Sequence, residues 1–258
     1  MDTFIYKRAE APILVSIPHT GLRLDDGMSK RLTTEALELP DTDWHVDRLY
    51  DFLNNTAVGV LRAEYSRYVV DLNRSPENLA LYPGQLNSEI CPTETFAGDE
   101  LYQPGLAPSQ DEIEDRIQRY WSPYHACLRE ELECLRQKFG FAILWDAHSI
   151  RSHMPRLFDG ELPHLNIGTN SGASCDPKLA ADVATALTSA EYSIVLNGRF
   201  RGGYITRHYG DPGRRTHAVQ LEISQRAYMN EIDSSYSTSK AERLRALLRQ
   251  LFDLLSER

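Results

Sequence analysis

An α/β protein, with a largely parallel sheet covered by helices, is what this sequence predicts, and two patterns carry the prediction. The first is a set of short apolar runs: PILVSI at 12–17, RYVVDL at 67–72, FAILWDA at 141–147, YSIVLNG at 192–198 and HAVQLEIS at 217–224. Runs of this kind mark strands buried on both faces. The second is the placing of helical stretches between the runs, the alternation that builds such sheets. At 258 residues the chain suits one domain spanning 1–258, long enough to bury a sizeable core.

The elements follow in order from local chemistry. The first strand ends in SIPHTG, where proline and glycine close the run around His19. DWHVDRLYDFLNN after Asp43 has helical periodicity, with Asp43 as its natural N-cap. Ser109-Gln110-Asp111-Glu112 forms a capping box that opens a long amphipathic stretch to about Phe139, which Pro123 should break or kink. Asp176-Pro177 starts another helix, aspartate as cap and proline in the first turn, and a last helix runs from about Lys240 to Glu257. Two irregular segments remain, 73–108 with its five prolines and 148–172, rich in His, Asn, Gly and Ser. Loops this long in a compact domain are commonly functional. Both follow strands, and in open α/β sheets the ligand crevice lies beyond the carboxyl ends of strands.

Bulk composition narrows the classes. Hydrophobic residues at 41% and charged residues at 25% are those of an ordinary globular protein. A net charge of -9 offers no general attraction to a nucleic-acid backbone. No window approaches the apolar length of a membrane span, and the N-terminal MDTFIYKRAEAPILVS lacks the pattern of a signal peptide. Cys91, Cys127, Cys134 and Cys175 form no C-x-x-C pair and read as free thiols, so a cytoplasmic location is expected. No interface, and hence no oligomeric state, can be read from the sequence.

Four strands or their following turns end in polar groups: His19, Asn73-Arg74, Asp146-Ala147-His148 and Glu222. A single histidine at a strand end is most simply a satisfied structural residue, but the coincidence of four points to a site. His19 and His148 are typed for a borderline divalent metal such as zinc, which takes imidazoles and a carboxylate and leaves a position open for water. DTDWHVD offers Asp41, Asp43, His45 and Asp47 as the further ligand, and spacing does not choose among them. In VQLEIS, alternation puts Gln220, Glu222 and Ser224 on one face and Val219, Leu221 and Ile223 on the other. Glu222 is therefore either the polar face of an edge strand or a general base beside a metal-activated water.

Arg74 with Asn73 has the fork and amide that hold a carboxylate, unless it pairs instead with Asp71 to pin the loop. NGRFRGGYITRHYGDPGRRTH gathers Arg199, Arg201, Arg207, Arg214 and Arg215 into a local positive field suited to small anions, or into a solvated basic loop. It has no phosphate-binding glycine pattern. Neither SPYHACL nor SGASCDP is a nucleophile elbow, which leaves water as the nucleophile.

Taken in order, SIPHTG, LPDTDWHVDRLYDF, SRYVVDLNRSPEN, LWDAHSIRS, LNIGTNSGASCDP, NGRFRGGYITRHYGDP and HAVQLEISQRAYMNE resemble the N-formylglutamate amidohydrolase family, from about Ala11 to Glu231. The resemblance implies a single three-layer α/β/α sandwich on a mixed, largely parallel sheet, of the zinc-exopeptidase (phosphorylase/hydrolase-like) type. It also implies hydrolysis of N-formyl-L-glutamate to formate and L-glutamate in histidine degradation. By the same resemblance His19 and His148 are metal ligands, Glu222 is the catalytic acid/base, and Asn73 and Arg74 hold a substrate carboxylate. The His-x-x-Glu spacing of carboxypeptidases is absent, since Leu22 stands third after His19. The acidic ligand must then come from elsewhere, and the helix phase of Asp43 with Leu49 favours Asp43, with Asp41 and Asp47 as alternatives. The cofactor implied is Zn2+, although His/Asp/His donors also accept other divalent ions. The second carboxylate falls to Arg207, Arg201 or Arg67, and His208 becomes a hydrogen-bond donor near the oxyanion. Two other functions use the same residues: a metal-dependent carboxypeptidase or N-acyl-amino-acid deacylase with a larger pocket, and a non-catalytic binder of small anions.

Overall fold

The computed structural model describes residues 2–81 and 87–258. Its strands are β1 (Phe4–Lys7), β2 (Ile13–Ile17), β3 (Gly59–Ala63), β4 (Ala142–Ile150), β5 (Leu165–Gly168), β6 (Ile194–Leu196), β7 (Thr216–Ser224) and the small pair β8 (Met229–Asn230) and β9 (Ser235–Tyr236). The helices are α1 (Thr34–Leu37), α2 (Val46–Leu49), α3 (Gln110–Arg116), α4 (Ser122–Phe139), α5 (Pro177–Leu187), α6 (Tyr204–Tyr209) and α7 (Thr238–Ser256). Seven strands form one sheet in the order β1-β3-β2-β4-β7-β5-β6. β3, β2, β4 and β7 run parallel, β1 is antiparallel to β3, and β5 and β6 run against β7. The mixed, helix-covered sheet is the architecture expected of the sequence.

A core lies on each face of the sheet. On one, Ile13, Val15, Ile143, Trp145, Val219 and Leu221 meet Leu49 of α2, Leu179 and Val183 of α5, and Leu244, Leu248 and Leu251 of α7. On the other, Leu14, Leu144 and Ala218 meet Leu128, Leu132 and Leu135 of α4 and Ile205 of α6. The three layers follow from strands whose successive residues face opposite ways, each way into a helix layer. Fully burying one leucine or valine contributes roughly 1.5–3 kcal/mol, so these two faces supply most of the driving force. Among the described residues, no helix is long and apolar enough to cross a membrane.

The structure corrects several expectations. RYVVDL at 67–72 is buried but is no strand: Val69 N–H returns to Ser66 O at 2.9 Å, and Arg74 N–H to Asp71 O at 3.1 Å. The backbone turns because Arg67 and Asp71 form an i,i+4 ion pair of 2.7 Å, which an extended chain could not make. β1, β3 and β5 were not anticipated; they are short, carry polar residues, or, for β5, lie inside the polar segment 148–172. Residues 82–86 of the irregular segment 73–108 lie outside the described residues. The helix expected after Asp43 begins at Val46 behind His45, which has φ 62°, and Asp43 does not cap it.

Other expectations hold locally. Ser109 accepts from Glu112 N–H, and Asp176 from Lys178 and Leu179 N–H, as N-caps. At Pro123 the long helix does not break. Instead Ile117–Trp121 forms one wide π turn ahead of it, in which Ser122 N–H bonds to Ile117 O, five residues back.

The turn closing β2 is tightly set. Arg23 N–H bonds Glu64 O at 3.1 Å and Ser66 N–H bonds Arg23 O at 2.8 Å, stitching this turn to the end of β3. A Cβ on Gly21 would lie 2.2 Å from the carbonyl oxygen of Tyr65. Gly21→Ala is therefore expected to force the two turns apart and to destabilise the fold by about 1–3 kcal/mol, measured as a drop in the denaturant midpoint; a parental midpoint would show that the turns yield freely.

Candidate active site

Parallel neighbours β2, β4 and β7 end at the same edge of the sheet, and there the face that was apolar turns polar. Along that face β4 runs Ala142, Leu144, Asp146, His148, and β7 runs Ala218, Gln220, Glu222. His148 and Glu222 are direct neighbours across the β4–β7 ladder. β7 is a central strand, so the edge-strand explanation of Glu222 is excluded. His19 follows β2 by two residues, and its carbonyl accepts Asp43 N–H at 3.1 Å, which draws the DTDWHVD segment against the strand end.

His19, Asp43 and His148 are all buried, and each offers a ligand atom within 4.8 Å of the others. Asp43 Oδ2 lies 3.0 Å from His148 Nδ1 and 3.7 Å from His19 Nδ1, and it also accepts Ser149 N–H at 3.1 Å. The outer imidazole nitrogens are held by carboxylates: His19 Nε2 by Asp71 at 2.8 Å, and His148 Nε2 by Asp146 at 3.1 Å. That is the arrangement which fixes ring orientation and leaves Nδ1 directed inward, as metal-binding histidines require. His19 Nδ1 is buried without a hydrogen-bond partner. An orphaned inward nitrogen beside a second imidazole and a carboxylate fits a divalent cation, and the N/O donor set is one that zinc accepts.

The other acidic candidates are used elsewhere. Asp41 Oδ2 accepts Tyr68 O–H at 2.9 Å and Phe96 N–H at 2.8 Å, and Asp47 pairs with Arg62 at 2.6 Å. His45 turns to the β8–β9 pair, Nε2 lying 2.8 Å from Ser234 O.

Electrostatics separates the carboxylates. Burial acts to raise Asp43, but its hydrogen bonds and charge pairing with His148 and His19 outweigh it and hold the group below its ordinary range. Asp71 is likewise held well below by Arg67 and His19 against its burial. Glu222 is pushed up to about 8, burial being the largest cause. Its Oε2 accepts from Gln220 Nε2 at 3.2 Å; the orientation of that amide is fixed because Gln220 Oε1 takes Gly203 N–H at 2.7 Å.

These groups line a cavity of about 320 Å³ whose wall also includes Asn73, Arg67, Arg74, Arg156, Arg199 and Phe96. Arg74 is half-buried, its Nε donating to Ser88 Oγ at 3.0 Å and its Nη1 to Asn73 O at 2.9 Å. Asn73 is held on both sides of its amide, Oδ1 accepting Ile205 N–H at 2.8 Å and Nδ2 donating to Asp146 Oδ2 at 3.5 Å. Arg67 is engaged with Asp71 and lies 3.6 Å from Asp43. Arg201 and His208 are exposed and Arg207 is half-buried, and none of the three is among the described residues lining the cavity. His208 stacks on Tyr204 with ring centroids 4.9 Å apart, and Arg207 Nε donates to Gly202 O at 2.8 Å. The sequence reading named Asp146 only as a strand-end polar group and Asp71 only as an alternative partner of Arg74, and missed that each holds an imidazole; the two-residue period of β4, which puts Asp146 on the face of His148, is the signal for the first. Arg156 gave none, since nothing local aims a loop arginine across the fold.

Fold and site together define an α/β protein with a buried His/Asp/His cluster and an acid poised beside it, the equipment of a hydrolase. The chain belongs to the N-formylglutamate amidohydrolase family, whose model matches residues 11–229. It is 49% identical over 252 residues to an N-formylglutamate deformylase of Pseudomonas putida, covering 97% of this chain and 94% of that one. It is 50% identical over 256 residues to one of Pseudomonas aeruginosa, covering 98% and 96%. The crystal structure of an N-formylglutamate amidohydrolase from Ralstonia eutropha shares the fold, with TM-score 0.86 at 22% identity over 99% of this chain and 98% of that one. A gene product of Agrobacterium tumefaciens shares it with TM-score 0.69 at 18% identity over 98% and 96%.

Asp71 is fully buried between His19 and Arg67. Replacing it with asparagine leaves Arg67 short of its main counter-charge, so Asp71→Asn should cost about 3 kcal/mol of unfolding free energy, read by urea titration; a loss under half a kcal/mol would mean that Asp43 alone compensates the guanidinium.

Proposed function

We propose that this chain, acting as one domain, hydrolyses N-formyl-L-glutamate to formate and L-glutamate, and that it does so with a divalent cation, zinc by the character of the donors. The observation that carries the reading is the His19/Asp43/His148 cluster standing beside Glu222 in one cavity. Near-half identity over nearly the whole chain to two N-formylglutamate deformylases supports the substrate.

His19, Asp43 and His148 would hold the cation, and the cation supplies Lewis acidity that activates water and polarises the formyl oxygen. The remaining work falls to the chain. Glu222, opposite His148, takes a proton from water as oxygen adds to the formyl carbon. It then returns that proton to the nitrogen as the C–N bond breaks, so that formate and the free amine leave. Burial raises the proton affinity of this carboxylate above that of an exposed one, which suits it to carry a proton from the water to the leaving nitrogen. Gln220 keeps one Glu222 oxygen fixed, leaving the other for water.

N-formylglutamate brings two carboxylates, and arginine is the side chain that meets them with a matching fork. Arg74 binds one of them from the cavity wall, its backbone and Nε being already fixed by the loop. The second falls to Arg156 or Arg199, which also line the cavity. Arg201 and Arg207, outside that lining, remain only as outer contributors to the positive field, His208 is kept neutral by desolvation, and Arg67, which does line the cavity, is taken up by Asp71.

Two measurements test the reading. Glu222→Gln is expected to lower kcat for formate release by at least 10²-fold with the bound metal retained; unchanged turnover would remove Glu222 from the chemistry. Chelation should abolish formate release and Zn2+ should restore it, with N-formylglutamate preferred over N-acetyl- and N-succinylglutamate. A preference for either larger acyl group would favour the deacylase alternative.

A further inference from the structure

The segment 69–74 carries Asn73 and Arg74 into the cavity, yet it has no strand pairing to hold it. Three of its carbonyls, those of Val69, Leu72 and Arg74, are held instead from one helix face. Arg116 Nη1 donates to Val69 O at 3.2 Å, His125 Nε2 lies 2.8 Å from Leu72 O, and Trp121 Nε1 donates to Arg74 O at 3.0 Å. Burial pushes the His125 imidazole down to about 3, so the ring is neutral and has a single N–H. A carbonyl can only accept, so that N–H is on Nε2, and Nδ1 faces Tyr209 Oη at 2.9 Å as the acceptor. Trp121 and His125 stack with ring centroids 3.7 Å apart, locking the two donors to one another.

The wide turn explains how the three donors share a face. In a regular helix the five residues from Arg116 to Trp121 would overshoot one turn by about 140°, turning the tryptophan away. The π turn at Ile117–Trp121 takes up the extra residue and returns Trp121 to the face of Arg116, and His125 follows four residues later. Neither Trp121 nor His125 is among the described residues that line the cavity.

We propose that Trp121 and His125 are positioning residues for substrate binding: their N–H groups hold the carbonyls on either side of Asn73 and thereby fix the Arg74 fork at the cavity wall. This rests on the reading of Arg74 as a carboxylate clamp. The brace acts on ground state and transition state alike, so its loss appears in KM rather than kcat.

The test is steady-state formate release by the metal-loaded enzyme from N-formylglutamate, for Trp121→Phe, Arg74→Gln and the double variant. Trp121→Phe keeps a six-membered ring against His125 while removing the donor. The expected result is a KM raised 5- to 10-fold with kcat within twofold, and no further rise when Trp121→Phe is added to Arg74→Gln, because the brace then has no fork to place. Additive effects, or a fall in kcat at constant KM, would overturn the brace. A parental KM for Trp121→Phe alongside a raised KM for Arg74→Gln would also overturn it while sparing the clamp. A parental KM for Arg74→Gln removes the clamp and the brace together. His125→Leu and His125→Gln guard against misfolding: the leucine variant should raise KM, and the glutamine variant, which keeps an N–H for Leu72 O, should restore it. If Trp121→Phe and His125→Leu both fail to fold, the pair is structural and the proposal falls.

Discussion

The carboxylate of Asp71 is the group around which the site is arranged. It has no access to water, so its charge must be met entirely by the protein, and three partners meet it: His19 Nε2 at 2.8 Å, Arg67 Nη2 at 2.7 Å and the N–H of Asn73 at 2.8 Å. Those partners lie after β2, on a turn, and at the root of the Arg74 loop. One buried charge therefore orients a histidine, compensates an arginine and ties down the loop. Arg67 in turn reaches to within 3.6 Å of Asp43, so the second acid of the cluster shares the same cation.

This constraint is also why 67–72 misleads as a sequence. Tyr68, Val69, Val70 and Leu72 have the composition of a buried strand, and all four are indeed buried. What decides the backbone is the spacing of Arg67 and Asp71, four apart, whose pairing requires a turn. β-propensity is a weak preference beside a buried ion pair left unmade. By contrast 12–17, 141–147 and 217–224 contain no such competing pair, and their strands lie where the apolar runs place them. β1, β3 and β5 escaped because short strands such as FIYK, GVLRA and LNIG owe their pairing to neighbours distant in the chain.

The candidate site was legible to the same degree and for the same reason. Residues on strands, or immediately after them, could be assigned a face and an end of the sheet from the two-residue period alone, which brings His19, His148 and Glu222 to one edge. Asp43 had in its favour only its helix phase with Leu49, a weak ground since Asp41 and Asp47 are the same side chain within four positions and the helix begins only at Val46. The arginines were least legible. Five of them crowd 199–215, but their directions depend on glycine turns and on α6, and of the five only Arg199 is among the described residues lining the cavity. Charge type is written in the sequence; the direction of a long side chain on a loop is not.

Burial alone would raise the proton affinity of both Asp43 and Glu222, and the difference between them comes from their partners. Asp43 is surrounded by groups that favour an anion: two imidazoles and the N–H of Ser149. It stays ionised, which is what a cation ligand must do. Glu222 has one amide donor, from Gln220, and Asp43 and Asp146 near enough to oppose its charge. Burial therefore leaves it with a higher proton affinity than Asp43. Two carboxylates in one cavity are thus set apart in proton affinity by the donors that the ends of β2, β4 and β7 bring to each, the separation that the proposed division of labour between cation ligand and proton carrier needs.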